Sequence, residues 1–159
     1  MRRKADPINT DTDIERSLVH PASDLFSYLT GHWHLTRHIT DHNRNETGQL
    51  NGEAVFTPAP DGLVYRERGL LQLGDYTGEA TQSLRFHPAE CGAAVHFADG
   101  HPFYSLDLSA GSDSALHLCP PDEYGVATRV ISADEWRQTW RVRGPAKDQQ
   151  IISVFCRRP

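Results

Sequence analysis

From Trp33 onward the chain repeats one pattern: apolar side chains at every second position in short runs, with turn residues between them. Trp33, Leu35, Arg37 and Ile39 alternate with His34, Thr36, His38 and Thr40, the period of two of a half-buried strand, and the first set is predicted to point inward. The polar stretch Asp41 to Gly48 connects to a second run, Leu50, Gly52, Ala54 and Phe56, which ends at the turn Pro58-Ala59-Pro60-Asp61-Gly62. In the third run Leu63, Tyr65, Glu67, Gly69 and Leu71 oppose Val64, Arg66, Arg68 and Leu70, so two outward arginines place Glu67 inside.

Gln82, Leu84 and Phe86 form the inward set of a fourth strand, and Val95, Phe97 and Asp99 that of a fifth, which follows the turn at Glu90-Cys91-Gly92. Asp99-Gly100 is a tight-hairpin signal. Phe103 to Leu108 supplies a sixth strand and Ala115 to Cys119 a seventh, which Pro120-Pro121 ends because proline has no amide hydrogen to donate. Gly125 to Ile131 is the eighth. The ninth has the cleanest alternation, with Trp136, Gln138, Trp140 and Val142 against Arg137, Thr139, Arg141 and Arg143. A turn at Gly144-Pro145-Ala146-Lys147-Asp148 leads to the last strand, Gln150 to Arg158. About nine or ten short strands joined by consecutive hairpins predict an all-β fold, an antiparallel up-and-down barrel rather than a Greek-key sandwich.

A different period precedes the strands. Leu25, Tyr28 and Leu29 share one helical face between Pro21 and Gly31, which predicts a short N-terminal helix that caps the barrel. Residues 1–19 are polar and aperiodic and read as a flexible tail, leaving residues 20–159 as a single domain.

Composition narrows the possible partners. A chain of 159 residues with 38% apolar residues holds one core, and a net charge of -5 with scattered basic residues favours neither nucleic acid nor an anionic membrane. The basic N-terminal residues Arg2, Arg3 and Lys4 have no apolar stretch behind them, so neither a signal peptide nor a membrane span is expected. Cys91, Cys119 and Cys156 are an odd number without a CxxC pair, which suits reduced thiols in the cytoplasm and excludes a cysteine-only zinc site. These features are compatible with a homodimer.

Strand parity sends many polar groups inward: Arg37, Tyr65, Glu67, Gln82, Asp99, Gln138 and Ser153. Buried charge is costly unless paired. One reading is purely structural: Arg37 and Glu67 neutralise each other and Tyr65 satisfies a remaining lone pair. The other is that these groups line a cavity and hold the polar end of a ligand whose apolar part lies against Trp140, Phe97 and Leu84.

His117, Cys119, Asp122 and Tyr124 form the one compact constellation. His117 and Cys119 share a strand face, and Asp122 and Tyr124 follow a proline-stiffened bend. The group could serve as nucleophile and base, supply two metal ligands, or form a network that pins the bend. A thiol nucleophile lacks an identifiable oxyanion-stabilising element and a zinc site lacks further ligands, so the network is favoured and no metal is expected. His117, Asp122 and Tyr124 are the candidate acid–base residues of an enzyme reading, with His117 and Tyr124 also candidate ligand contacts. His32, His34, His38 and His42 fall on an outward, solvated face, and Lys147 on a rim hairpin.

Several motifs carry a resemblance. Leu29-Thr30-Gly31-His32-Trp33 resembles the opening motif of the lipocalin and calycin barrels, and Phe155-Cys156-Arg157-Arg158 resembles the arginine that packs over the opening tryptophan there. From Leu25 to Arg158 the chain is similar to a lipocalin-like family of unknown function, through Tyr65-x-Glu67-x-Gly69, Asp99-Gly100-x-x-Phe103, His117-x-Cys119-x-x-Asp122-x-Tyr124 and Trp140-x-x-x-Gly144-Pro145-x-Lys147. It also resembles, more distantly, the haem-binding nitrobindin-type barrels. Their haem-ligating histidine lies in the last strand, where this chain has Ile151, Ile152 and Ser153, so haem held in that way is not expected. The resemblance and the inward polar residues imply a small-molecule-binding barrel, with Arg37, Tyr65 and Glu67 at the polar end of an apolar or amphipathic ligand and Gln82, Asp99, His117, Tyr124 and Trp140 around it. The alternatives are an enzyme on the same barrel and a filled barrel that serves as an interaction module.

Overall fold

In the computed structural model, which describes residues 21–159, a five-residue helix leads into ten antiparallel strands. The helix is α1 (Leu25–Leu29). The strands are β1 (Gly31–Asp41), β2 (Glu46–Ala59), β3 (Gly62–Leu73), β4 (Tyr76–Pro88), β5 (Ala93–Phe97), β6 (Pro102–Leu106), β7 (Ser112–Cys119), β8 (Asp122–Ser132), β9 (Glu135–Arg143) and β10 (Asp148–Arg157). The tail expected over residues 1–19 lies outside the described residues.

The strands form one sheet in the order β6-β5-β4-β3-β2-β1-β10-β9-β8-β7. The first and last strands therefore pair with each other, Trp33 opposite Arg157 and Arg37 opposite Ser153. The sheet curls into a nearly closed barrel in which only β6 and β7, its two outermost strands, share no ladder. The Asp107 amide bonds Asp113 Oδ2 across this seam at 2.8 Å. Opposite the seam, Gly52 faces Gly69 on β2 and β3, and a Cβ on Gly52 would strike the Arg68 carbonyl. Two glycines let these strands approach closely where the sheet bends.

Antiparallel order gives the barrel two different ends. The closed end gathers α1, the β2–β3 and β4–β5 turns, the β8–β9 hairpin and the chain's final residues. Asp24 caps α1 by accepting from the Ser27 amide, and Leu25 and Leu29 bury the helix's apolar face. Trp33 is fully buried, donates from Nε1 to the Leu29 carbonyl at 2.8 Å, and lies under the Arg157 guanidinium, 4.2 Å from the ring. Arg157 also donates to the Tyr28 carbonyl at 2.8 Å, so one side chain ties helix, first strand and last strand together. Arg158 points elsewhere, to Glu53.

The strands run farther than their apolar residues alone predict. β2 begins at Glu46, inside the stretch read as a connection, because backbone pairing with β1 continues along the wet rim beyond the core. The fifth strand is shorter than expected. β5 stops at Phe97, and Gly100, at φ 93°, turns the chain, so Asp99 does not continue the inward set.

Candidate ligand-binding cavity

Inward side chains leave a cavity of about 280 Å³ that opens toward the other end of the barrel. Its floor is aromatic: Phe56, Phe86, Trp136 and Phe155 lie above the Trp33 closure, with Trp136 stacked flat on Phe155 at 3.7 Å. Higher on the wall are Ile39, Leu71, Ala80, Val142 and Ile151. β-strand parity produces this lining directly, since every second residue of β1, β3, β9 and β10 faces in.

About halfway up the wall the cavity meets a polar belt. Arg37 donates from Nη1 and Nη2 to the two oxygens of Glu67, at 2.6 and 2.9 Å, in a bidentate pair. Its Nε donates to Ser153 Oγ at 2.8 Å, and Tyr65 donates its hydroxyl to Glu67. Burial pushes Tyr65 well above the usual phenol range, and the Glu67 charge adds to the shift. Burial opposes the charge on Arg37, but the bonds and charge of Glu67 outweigh it and hold the guanidinium above its ordinary value.

A second polar node lies beside the first. Gln138 donates to Tyr104 Oη at 3.1 Å and to Thr128 Oγ1 at 3.2 Å, and its carbonyl accepts from Trp140 Nε1 at 2.9 Å. Burial lifts the Tyr104 phenol to about 12. Trp136 Nε1 is buried without a partner among the described residues.

Near the mouth, rings bridge the seam that backbone bonds leave open. Phe103 on β6 stacks between Phe97 and Trp140, and the His117 ring on β7 meets it edge-on at 5.3 Å. His117 and Cys119 pair directly with Tyr124 and Asp122 across the β7–β8 hairpin, which gathers the predicted constellation. Lys147, read from sequence as a rim lysine, completes it by reaching Tyr124 Oη and Asp122 Oδ2, each at 3.0 Å. These bonds raise the Lys147 ammonium above the usual lysine range. Gly144 makes the contact possible, because a Cβ there would strike the Asp122 carboxylate.

The sequence-predicted residues divide by position. Arg37, Tyr65, Glu67, Gln82, Tyr124 and Trp140 all line the cavity, with Gln82 exposed at its mouth. His117 packs behind Phe103 and Tyr124 at the seam. Asp122 is tied to Lys147 and bonds neither His117 nor Tyr124 among the described residues. Asp99 is not on the cavity wall: it is exposed in the β5–β6 turn, where it accepts from the His101 amide, because strand parity ends with the strand. Tyr104 was missed. It falls two and four positions before the buried Leu106 and Leu108, which is its signal, but a register shift at Val95/His96 breaks the pairing of β5 with β6, and Phe103 lines the cavity too.

Fold and cavity together define a small antiparallel β-barrel, closed at one end and open at the other. Residues 29–157 match the family described as a family of unknown function, DUF6314, and the chain belongs to that family. Among solved structures the chain is similar to the S-type phycobiliprotein lyase of Guillardia theta, with a TM-score of 0.57 and 8% identity over 92% of this chain and 97% of that one. It is also similar to a protein of unknown function of the DUF3598 family from Nostoc punctiforme, with a TM-score of 0.59 and 11% identity over 89% of this chain. The chain spans only 51% of that second protein. At these identities the likeness is one of fold. No curated protein matches the sequence.

Proposed function

We propose that the barrel binds a small amphipathic molecule in its cavity, with Arg37, Glu67 and Tyr65 at the ligand's polar part and the aromatic floor and upper apolar wall around the rest. The observation that carries this reading is an open volume of about 280 Å³ in which a charged pair meets an aromatic wall. A filled barrel would spend that volume on its own side chains, since protein interiors are normally close-packed. Ligand sites of this kind are concave and mostly apolar, with a few placed polar groups. The Trp33–Arg157 closure supports grouping the barrel with the lipocalin-like proteins.

Binding is favoured over catalysis by the mouth cluster. Asp122 spends its charge on Lys147, and the His117 side chain makes no hydrogen bond among the described residues, so no acid–base relay joins the three. Cys91, Cys119 and Cys156 are free, which supports a reducing compartment such as the cytoplasm.

Native mass spectrometry of the purified protein, followed by denaturing extraction, tests the reading. The wild type is expected to release a bound small molecule. Ala80→Trp, which fills the upper cavity from β4, is expected to lose it while remaining folded. Equal release from both proteins would contradict binding in the cavity.

A further inference from the structure

The hydrogen-bonding capacity left over in the cavity specifies a kind of ligand, and this inference rests on the cavity-binding reading above. Among the described residues Arg37 and Glu67 are the only charged ones on the cavity wall, and they are bidentately paired, so this wall presents no net charge. A ligand carboxylate would find the guanidinium already neutralised and would sit beside a second carboxylate. A ligand ammonium would have to compete with Arg37 for Glu67. Either charge would lose its hydration without a free counter-charge.

The unspent groups are mainly donors. Arg37 uses one N–H of Nη1 and one of Nη2 on Glu67, which leaves one on each nitrogen. The Tyr104 hydroxyl accepts from Gln138, and its own proton has no acceptor among the described residues. Tyr124 accepts from Lys147, and an ammonium cannot take a proton in return, so the Tyr124 hydroxyl is likewise free to donate. Trp136, also on the wall, carries a buried N–H without a partner. On the acceptor side, Glu67 already takes three bonds and the Gln138 carbonyl takes one, which leaves the Gln82 carbonyl, exposed at the mouth and accompanied by its own two N–H donors.

Aromatic rings form much of the surrounding wall, including Phe56, Phe86, Phe103, Trp136, Trp140 and Phe155. Such walls favour a ligand ring that can take offset or edge contacts. We infer that the cavity is built for an uncharged aromatic molecule bearing carbonyl or ring-nitrogen acceptors, one received in the Arg37–Tyr104 belt and another near Tyr124 at the mouth. A buried donor left unmet is expensive, so a ligand of the same shape without acceptors binds less well.

Quenching of the intrinsic tryptophan fluorescence provides the test, because Trp136 and Trp140 line the cavity. Three probes of one ring shape are titrated at neutral pH: fluorenone, which has a carbonyl; fluorene, which has none; and fluorenone carrying a ring carboxylate. Fluorenone is expected to bind about tenfold more tightly than fluorene and at least about tenfold more tightly than the carboxylate. Tyr104→Phe should narrow the gap between fluorenone and fluorene from both sides, weakening fluorenone and strengthening fluorene because the unmet donor is gone, a result that loss of packing alone would not give. Tightest binding by the carboxylate, or equal binding of fluorene and fluorenone, overturns the ligand class and leaves cavity binding intact. Absence of saturable quenching with all three overturns cavity binding and this inference with it.

Discussion

The two ends of the barrel use the same kinds of residue to opposite effect. At the closed end Trp33 has its N–H satisfied by Leu29, both ring surroundings occupied, and Arg157 spent on backbone carbonyls. In the cavity above that closure, Trp136 on the floor and Arg37, Tyr104 and Tyr124 toward the open end all keep donor capacity that no described neighbour uses. Polar groups that are fully spent hold a fold together. Groups that are buried or half-buried and only partly spent have capacity for something else, and here they surround an open volume. The difference between the ends lies in the bonding left over, because tryptophan and arginine occur at both.

The largest expected effects come from dismantling the closed end. Trp33→Ala should destabilise the barrel by about 3–5 kcal/mol, the usual result of truncating a fully buried aromatic residue, read from urea unfolding. Trp140→Ala, at a half-buried wall position, should cost clearly less stability while removing probe binding. Equal destabilisation by the two substitutions would erase the contrast between the ends.

Next is the polar belt. Glu67→Ala leaves the Arg37 guanidinium buried without its counter-charge, and is expected to cost about 3 kcal/mol. Restoring neutrality in Arg37→Met/Glu67→Leu should recover most of that loss in the same unfolding assay, yet leave ligand binding impaired. Recovery of both would mean that the pair serves the fold alone.

A smaller effect is expected with pH and is shared by the two ends, since burial also lifts the Tyr28 phenol at the closed end to about 12. The folded state holds the Tyr104 phenol at about 12, above its ordinary value of 10.0, and Tyr65 is also raised. Unfolding therefore releases protons in this window. The stabilisation is fully present below about pH 10 and is lost as pH rises through about 12, with a slope near 1.4 kcal/mol per pH unit for each such group. Tyr104→Phe should flatten part of that slope in unfolding midpoints measured from pH 9 to about 12. The smallest effect is expected at the rim, where Lys147→Met removes a partly exposed ion pair and should leave the unfolding midpoint almost unchanged.

Much of this arrangement was legible in the sequence, in proportion to how local its cause is. Alternation in β1 and β9 placed Trp33, Arg37, Gln138 and Trp140 on inward faces, and the outward Arg66 and Arg68 identified Glu67 as buried. The Arg37–Glu67 pair followed because two opposite charges sent into one barrel must meet or be expelled. What escaped depends on places where period two fails or where separate hairpins converge. Asp99 lies past the end of its strand. Tyr104 lies on a strand whose partner slips register. The reach of Lys147 to Tyr124 depends on two rim hairpins folding side by side over Gly144, a proximity that no single stretch of sequence encodes.

Titration with acetyl-dimethylaminonaphthalene, an uncharged aromatic ketone whose emission reports the polarity around it, tests the central claim most directly. The wild type should give a saturable one-to-one blue shift, and Ala80→Trp should abolish it while its unfolding midpoint stays unchanged. The same blue shift in both proteins would place the probe on the surface, beside exposed side chains such as Leu116 and Leu118, and would contradict an open, ligand-binding barrel.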